Sequence, residues 1–378
     1  MHLLRVQVPD FRGLKDIDIT FEKDFFPKIF PLGSQNGGGK STLLQLIFVL
    51  LHCSVDDEQK PFLVNLLQGF KIYDGEDKRV LAIIDIWERG KIFKLEFYSR
   101  KKSDVLEELF DEDIKSKNII ICDYSNAKQF NKNQDPNKEL ICHFNDLTKD
   151  ETKSLLKKIS NKIFLAAPST QVFLFLSPDS RKQLFSNSSN RDKNYYGILE
   201  SAKDKLPGLF TYDFLAVKLL IKSFLDARDR DFKEAIKTGH YGNSYQALIK
   251  ELNLLLANKR INLNEDFAGV NFKLDNNGET RELYPEDLSH GELKRLSIYM
   301  WLKSRYIEDA IVLMDEIEIA FHPDWQYQII SDLQEWTPSN QYILATHSYA
   351  LCEALTPAHV KEIEPKLIKQ ESNITNES

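Results

Sequence analysis

Cysteine is scarce in this chain: Cys53, Cys122, Cys142 and Cys352 are the four in 378 residues, with no C-x-x-C pair among them. So sparse and irregular a set excludes a disulfide framework and reads as reduced thiols in a cytoplasmic protein. His52-Cys53 and Cys142-His143 are sequence neighbours, but adjacent side chains point different ways, so neither pair is expected to hold a metal. Long apolar runs are also missing. Leu43 to Leu51 falls short of the roughly 18 residues of a membrane span, and Ile163 to Leu176 is broken by Pro168 and polar residues, so no contact with a membrane is expected. The N-terminus opens with the strand-like Leu3-Leu4-Arg5-Val6-Gln7-Val8 rather than a secretory leader. Positive charge is not in excess: 50 Lys and Arg against 57 Asp and Glu leave a net charge of −7. That balance argues against a surface that binds nucleic acid all over, while leaving room for a local basic groove. No internal repeat and no sustained heptad run occur, which excludes a long coiled coil.

What is present is an ordinary globular composition, long enough for one large domain or two smaller ones. Alternation at Leu4, Val6 and Val8, and again at Ile17, Ile19 and Phe21, predicts two strands joined at Phe11-Arg12-Gly13. A further strand, Lys28 to Leu32, runs into the segment on which the chain turns: Gly33-Ser34-Gln35-Asn36-Gly37-Gly38-Gly39-Lys40-Ser41-Thr42. An apolar helix over residues 42–53 follows. Strand, glycine-rich turn, helix is the setting in which backbone N–H groups form a nest for phosphate oxygens, with the positive end of the helix aimed at the same point. Lys40 is placed to reach the β- and γ-phosphates, and Ser41 to put its hydroxyl on Mg²⁺. The match to G-x-x-x-x-G-K-[ST] is one residue short, because Ser34 holds the first glycine position.

Two strands are expected within residues 79–99, joined by a hairpin turn at Glu88-Arg89-Gly90. A strand is expected over Ile163 to Leu176, polar loops at Ala127 to Lys138 and Ser186 to Asn194, and mostly helix from Tyr195 to Ala257. Asn277-Gly278 signals a hairpin. The tail after Ile368 loses all periodicity and is expected to be disordered.

Three further motifs lie in the last third. Ile311-Val312-Leu313-Met314-Asp315-Glu316 reads as a buried parallel strand ending in two acids. Beside a phosphate loop, Asp315 is the metal-side ligand and Glu316 the general base. Leu288-Ser289-His290-Gly291-Glu292-Leu293-Lys294 opens a helix, and Ser289 with Glu292 is also a capping box, so capping and phosphate binding are compatible readings. Tyr342-Ile343-Leu344-Ala345-Thr346-His347-Ser348 is a strand whose end presents His347 to a γ-phosphate or an attacking water.

This order of motifs resembles the ABC-type ATPase heads of the SMC, RecF and OLD group, and in particular the single-head AAA-type ATP-binding proteins found beside restriction and anti-phage systems. Phe11-Arg12-Gly13 is similar to that group's Asn-Phe-Arg segment, and Glu318 to Pro323 to its Glu-x-x-x-His-Pro stretch. The likeness covers roughly residues 1–50 and 265–355. It implies an α/β fold, an ABC-type P-loop NTPase head with a mixed sheet, flanking helices and a mostly helical insertion. Residues 1–100 and 265–364 would form the head, 101–264 the insertion, helical from about 195, and 365–378 the tail.

By position, the resemblance assigns ATP and Mg²⁺ as cofactors. Ser34, Gln35, Asn36, Gly37, Gly38, Gly39, Lys40, Ser41 and Thr42 would hold the phosphates. Ser41 and Asp315 would hold the metal, Glu316 would activate water, and His347 would sense the γ-phosphate. Arg12 would reach the phosphates or brace the loop. Ser289 and Gly291 would act on ATP held by a second copy, which implies an ATP-dependent homodimer. Departures are Ser34, His290 in place of a second signature glycine, and Ile317 where many relatives have proline. No glutamine after residue 50 stands out as a switch; Gln59 and Gln68 are the candidates.

The function implied is a slow ATPase switch that controls a separate effector, such as a nuclease, in a restriction-associated or anti-phage system. The alternative is a DNA-binding clamp head closed by ATP, which stimulation by DNA with a strong salt dependence would favour. A transporter nucleotide-binding subunit fits less well, given Glu292 in the signature and the missing glutamine switch.

Overall fold

The computed structural model describes residues 1–34, 37–102, 117–124, 138–144, 147–184, 191–212, 216–256, 258–264, 269–276 and 279–363. In chain order the first elements are strands β1 (His2–Phe11), β2 (Leu14–Thr20) and β3 (Ile29–Gly33), then helices α1 (Lys40–His52) and α2 (Lys60–Leu66). Strands β4 (Lys78–Glu88), β5 (Lys91–Lys101), β6 (Asn118–Asp123) and β7 (Lys138–Phe144) precede α3 (Lys149–Ser160) and β8 (Ile163–Ala167). Helices α4 (Pro178–Leu184) and α5 (Arg191–Asp204) lead to β9 (Leu209–Thr211), followed by α6 (Ala216–Thr238) and α7 (Ser244–Leu255). Strands β10 (Lys259–Leu263), β11 (Val270–Asn276) and β12 (Glu279–Leu283) precede α8 (His290–Ser304). The chain continues with β13 (Ile311–Asp315), α9 (Pro323–Trp336), β14 (Gln341–Ala345), α10 (Tyr349–Glu353) and β15 (Lys361–Glu362).

Among the described residues the strands form three sheets. The first is antiparallel, in the order β2-β1-β4-β5-β7-β6; the second is parallel, in the order β15-β3-β14-β13-β8-β9; the third is the small antiparallel β10-β11-β12. This is an α/β fold with a mixed set of sheets flanked by helices. The parallel sheet divides two cores, because side chains alternate across it. Phe30, Leu32, Leu165, Ile311, Leu313 and Ile343 face α1 and the antiparallel sheet. Ile29, Ala166, Val312, Met314, Tyr342 and Leu344 face the layer of α6, α7, α8 and α9. Burial on both faces is why β13 and β14 read as unbroken apolar runs.

Residues 163–167 and 209–211, assigned from sequence to the insertion, are strands of this central sheet, with β8 beside β13. The expected strand from Ile163 to Leu176 stops at Ala167. Pro168 has no N–H for the ladder, and a 3₁₀ turn over Ser169–Phe175 follows. The polar stretch Ser186 to Asn194 becomes helical from Arg191. The Glu88-Arg89-Gly90 turn joins β4 and β5 as a hairpin. Strands β11 and β12 pair antiparallel up to Asn276 and Glu279, while Asn277-Gly278, residues 127–137 of the expected loop and the tail lie outside the described residues.

The two large sheets are stitched by one side chain. Gln341, 1% exposed at the head of β14, accepts from Leu3 N at 2.7 Å and donates to Leu3 O at 2.9 Å. Replacing Gln341 with Leu keeps the volume and leaves both groups of a fully buried Leu3 unpaired. A loss of about 2–4 kcal/mol in urea unfolding is expected.

Nearby, His2 packs against Trp87 with ring centroids 5.5 Å apart. Burial first, then the charges of Lys28 and the N-terminus, push its pKa down to about 4. The unfolded chain protonates His2 near pH 6.5, so between pH ~6.5 and ~4 it binds a proton the folded chain refuses. Stability should therefore be flat in this respect above pH ~6.5 and fall by about 2–3 kcal/mol as the pH drops through that window. His2→Asn should remove that part of the slope in denaturation measured against pH.

Candidate active site

The phosphate loop leaves β3 at Gly33. Gln35 and Asn36 lie outside the described residues; Gly37 and Gly39 have φ of +80° and +87°, where a side chain is strained. Gly39 is excluded from change a second time, because a Cβ there would sit 2.5 Å from Leu14 Cδ2. It is also the N-cap of α1, and no side chain caps that end. The first amides of the helix, at Lys40, Ser41 and Thr42, therefore face the loop, and no acid occupies the first turn.

Lys40 is buried, and its ammonium donates to both Ser34 O and Ser34 Oγ at 3.0 Å. The serine that departs from the glycine pattern thus supplies a second acceptor for the lysine. Lys40 Nζ also lies 3.4 Å from His347 Nδ1. An ammonium can only donate, so Nδ1 accepts and the ring proton sits on Nε2. Burial lowers the lysine pKa, against the pull of Glu318 and Asp315.

Asp315 ends β13 at 2% exposure, and Ser41 Oγ donates to its Oδ1 at 3.0 Å. Its other oxygen, Oδ2, is buried without a hydrogen-bond partner. Burial, with Glu316 and Glu318 close by, pushes this carboxyl up to about 7 despite the Ser41 bond. A buried carboxylate with an orphan oxygen beside a hydroxyl suits a small hard cation. No cage of three or more His, Cys, Asp or Glu side chains exists among the described residues. That donor set suits a cation which completes its shell with phosphate and water oxygens, as Mg²⁺ does.

Glu316 adopts φ 52°, and its N–H donates to Ala345 O at 3.0 Å, which fixes it between the ends of β13 and β14. Glu318 accepts from His347 N at 2.8 Å through Oε1, and its Oε2 is buried without a partner. The loop from Glu316 to Ala320 is held from behind by Lys294 of α8. Its ammonium donates to Glu316 O at 2.8 Å and Ile319 O at 3.1 Å, and lies 4.0 Å from the Tyr212 ring centroid. Sequence reading missed this lysine; its one signal was a charge two residues after Glu292, on the buried side of a helix.

Ser289 is the N-cap of α8 and forms the expected capping box: Glu292 N donates to Ser289 Oγ at 3.3 Å, and Ser289 N to Glu292 Oε2 at 2.9 Å. Lys259 pairs with the other oxygen of Glu292. Gly291 packs where a Cβ would come 2.7 Å from Ala320 O and 3.3 Å from the Trp325 ring. The structure thus brings Ser34, Lys40, Ser41, Asp315, Glu318 and His347 together. Gly291 packs toward α9 and the loop before it, while the hydrogen bonds of Ser289 stay within its capping box.

Arg12, expected to reach the phosphates or brace the loop, donates to Leu66 O at 2.6 Å and so caps the end of α2. Of the glutamines considered for a switch, Gln59 is the N-cap of α2 and Gln68 accepts from Arg181. Gln171 was not considered. It follows β8, the neighbour of β13, on the same edge of the sheet as the phosphate loop, and it accepts from Gln45 on α1. Its position past the carboxyl end of β8 is where ligands gather in a parallel sheet, a placement that only the pairing with β13 reveals.

The sequence model of a family described as "AAA domain, putative AbiEii toxin, Type IV TA system" matches residues 35–353. Among curated proteins the chain is similar to "Retron Vc95 probable ATPase" of Vibrio cholerae serotype O1 biovar El Tor, 38% identical over 69 residues, which are 17% of this chain and 13% of that protein. It is likewise similar to "Retron Ec83 probable ATPase" of Escherichia coli, 38% identical over 51 residues, 14% of this chain and 9% of that one. The matched stretches thus span about a tenth of these relatives' own length. Among solved structures it is similar to the "SMC head domain from Thermotoga maritima", with TM-score 0.45 and 10% identity over 94% of this chain and 92% of that one. It is also similar to the SmcHead "bound to the C-winged helix domain of ScpA", with TM-score 0.45 and 12% identity over the same shares.

Proposed function

The chain belongs to the AAA-domain family whose model spans residues 35–353, and on that premise we propose that it binds and hydrolyses ATP with Mg²⁺ as a slow molecular switch. The observation that carries this reading is the junction of Ser41 Oγ with Asp315 Oδ1 at 3.0 Å, beside an unpartnered Asp315 Oδ2. It joins the end of the phosphate loop to the acid at the end of β13, which supports a nucleotide-bound metal between them.

In this reading Lys40 leaves Ser34 for the phosphates and the α1 amides neutralise the remaining charge. Ser41 and Asp315 would hold Mg²⁺, which supplies Lewis-acid polarisation of the phosphate oxygens when bound. Glu316 takes the proton of the attacking water, and His347, its Nδ1 turned toward Lys40, hydrogen-bonds the γ-phosphate through its Nε2 proton. Gln171 takes the place of the glutamine switch that Gln59 and Gln68 do not fill. Ser289 and Gly291 meet the nucleotide of a second copy, so that ATP joins a homodimer and hydrolysis releases it.

The names of the curated relatives, retron ATPases, and the toxin-system wording of the family support a place in anti-phage defence, with a separate effector under the switch's control. No helix among the described residues is long and apolar enough to cross a membrane.

The test is phosphate release from ATP by the purified chain with and without Mg²⁺. Release that needs Mg²⁺ and is lost in Ser41→Ala supports the reading. Release that survives Ser41→Ala, or none under any condition, overturns it.

A further inference from the structure

A cavity of about 520 Å³ opens at the end of the central sheet opposite the phosphate loop. Three helices finish there: α1 with His52, α3 with Ser160 and α8 with Ser304. The face of α6 that carries Leu219, Lys222 and Asp226 closes one side, and Phe164 of β8 lies within. One wall is fixed in place. His52 bridges Ser160 O at 2.7 Å and Gly208 N at 3.3 Å, and a Cβ on Gly208 would meet the imidazole at 2.8 Å.

Four polar groups of the lining bear on what the cavity could hold. Lys222, Asp226 and Arg305 all border the cavity, yet none of them enters an ion pair among the described residues. Lys222 and Asp226 stand four residues apart on one helix, a spacing at which opposite charges ordinarily pair. Ser304 Oγ is buried with no hydrogen-bond partner. Two cations, one carboxylate and an orphan hydroxyl around an apolar wall are the donors and acceptors that fix a small polar ligand. Arg305 already donates to Pro207 O at 2.8 Å, and both residues border the cavity.

We propose that this cavity is a binding site for a small organic anion, whose phosphate or carboxylate is held by Lys222 and Arg305 and whose hydroxyl or amine donates to Asp226. The volume falls within the range of small-molecule sites. The site is distinct from the nucleotide site, at the far end of α1, the helix that begins there. Helix α1 starts at Lys40 and α8 is capped by Ser289, so an anion in the cavity touches the opposite ends of both.

The test is calorimetric titration of the full chain, without nucleotide or Mg²⁺, using glucose 6-phosphate as a phosphate probe and citrate as a carboxylate probe. Saturable binding of either is expected, and the probe that binds identifies the anionic group. The double variant Lys222→Glu/Arg305→Glu should weaken that binding by at least about tenfold, from the loss of charge-assisted hydrogen bonds. Lys222→Gln/Arg305→Gln, which adds no repulsion, should weaken it in the same direction; both pairs of side chains are at the surface, and an unchanged melting temperature certifies the fold. Equal affinity in the variants places the probe elsewhere and overturns the proposal, as does the absence of saturable binding by both probes. Neither readout involves hydrolysis, so failure here leaves the ATPase reading standing, and the converse holds.

Discussion

Glu316→Gln is expected to slow ATP hydrolysis by about 10²–10⁴-fold and to double the solution mass of the chain only when ATP and Mg²⁺ are both present. The side chain keeps its shape, and the backbone at φ 52° stays fixed by Ala345 O and Lys294. What is lost is the group proposed to accept the water's proton. Lys40, Ser41 and Asp315 are untouched, so ATP binds and is not consumed. If ATP is the joint of the proposed homodimer, the joint then persists long enough to be weighed by light scattering. A mass that ignores ATP would remove the trans roles of Ser289 and Gly291, leaving the capping box as the full account of that serine.

The second large effect belongs to a residue away from the reacting atoms. Lys294→Met should lower kcat by about 10–100-fold while changing the KM for ATP little, the pattern of a loss felt in the transition state. Two backbone carbonyls, Glu316 O and Ile319 O, lose their shared donor. The loop between them contains Glu316 at φ 52° and ends at Ala320 at φ 72°, conformations that a non-glycine residue holds only when its surroundings insist. Without the lysine the loop relaxes, and Glu316 is no longer held against Ala345. Folding stability should fall with it, by about 1–3 kcal/mol, because two carbonyls in a half-buried setting lose a charged donor. Lys294→Arg keeps a donor of the same charge and should restore part of kcat. A lysine that only supports the fold would lose kcat in proportion to the folded fraction, and kcat per folded molecule would be unchanged.

The legible parts of this protein were those in which local chemistry and fold agree. Glycines with positive φ before a helix, apolar strands ending in Asp315-Glu316 and in Thr346-His347, and a Ser289–Glu292 box each carry their meaning within ten residues. The central sheet brings them together because β3, β14 and β13 are neighbours in it. What escaped were relations set by distant partners. Strand β8 looked like part of an insertion, since nothing in Ile163–Ala167 announces β13 as its neighbour, and Gln171 was lost with it. Lys294 looked like an ordinary helix cation until the loop that it holds was placed behind it. Arg12, expected to reach the phosphates or brace the loop, has its guanidinium on the carbonyl end of α2, a partner 54 residues away in sequence.

The order of the central sheet also bears on how this chain is born. Strand β3, which launches the phosphate loop, pairs with β14 and β15, and both are made roughly 300 residues later. At ribosomal speeds of about 5–20 residues per second, that is a wait on the order of 15–60 s. During it β3 has no partner strand to join. The first half of the chain can close its antiparallel β1-β2-β4-β5 layer during synthesis, but the nucleotide platform assembles only once β14 has emerged. Nascent chains stalled before that point should be clients for chaperones, and a fragment ending ahead of β13 should aggregate rather than bind nucleotide.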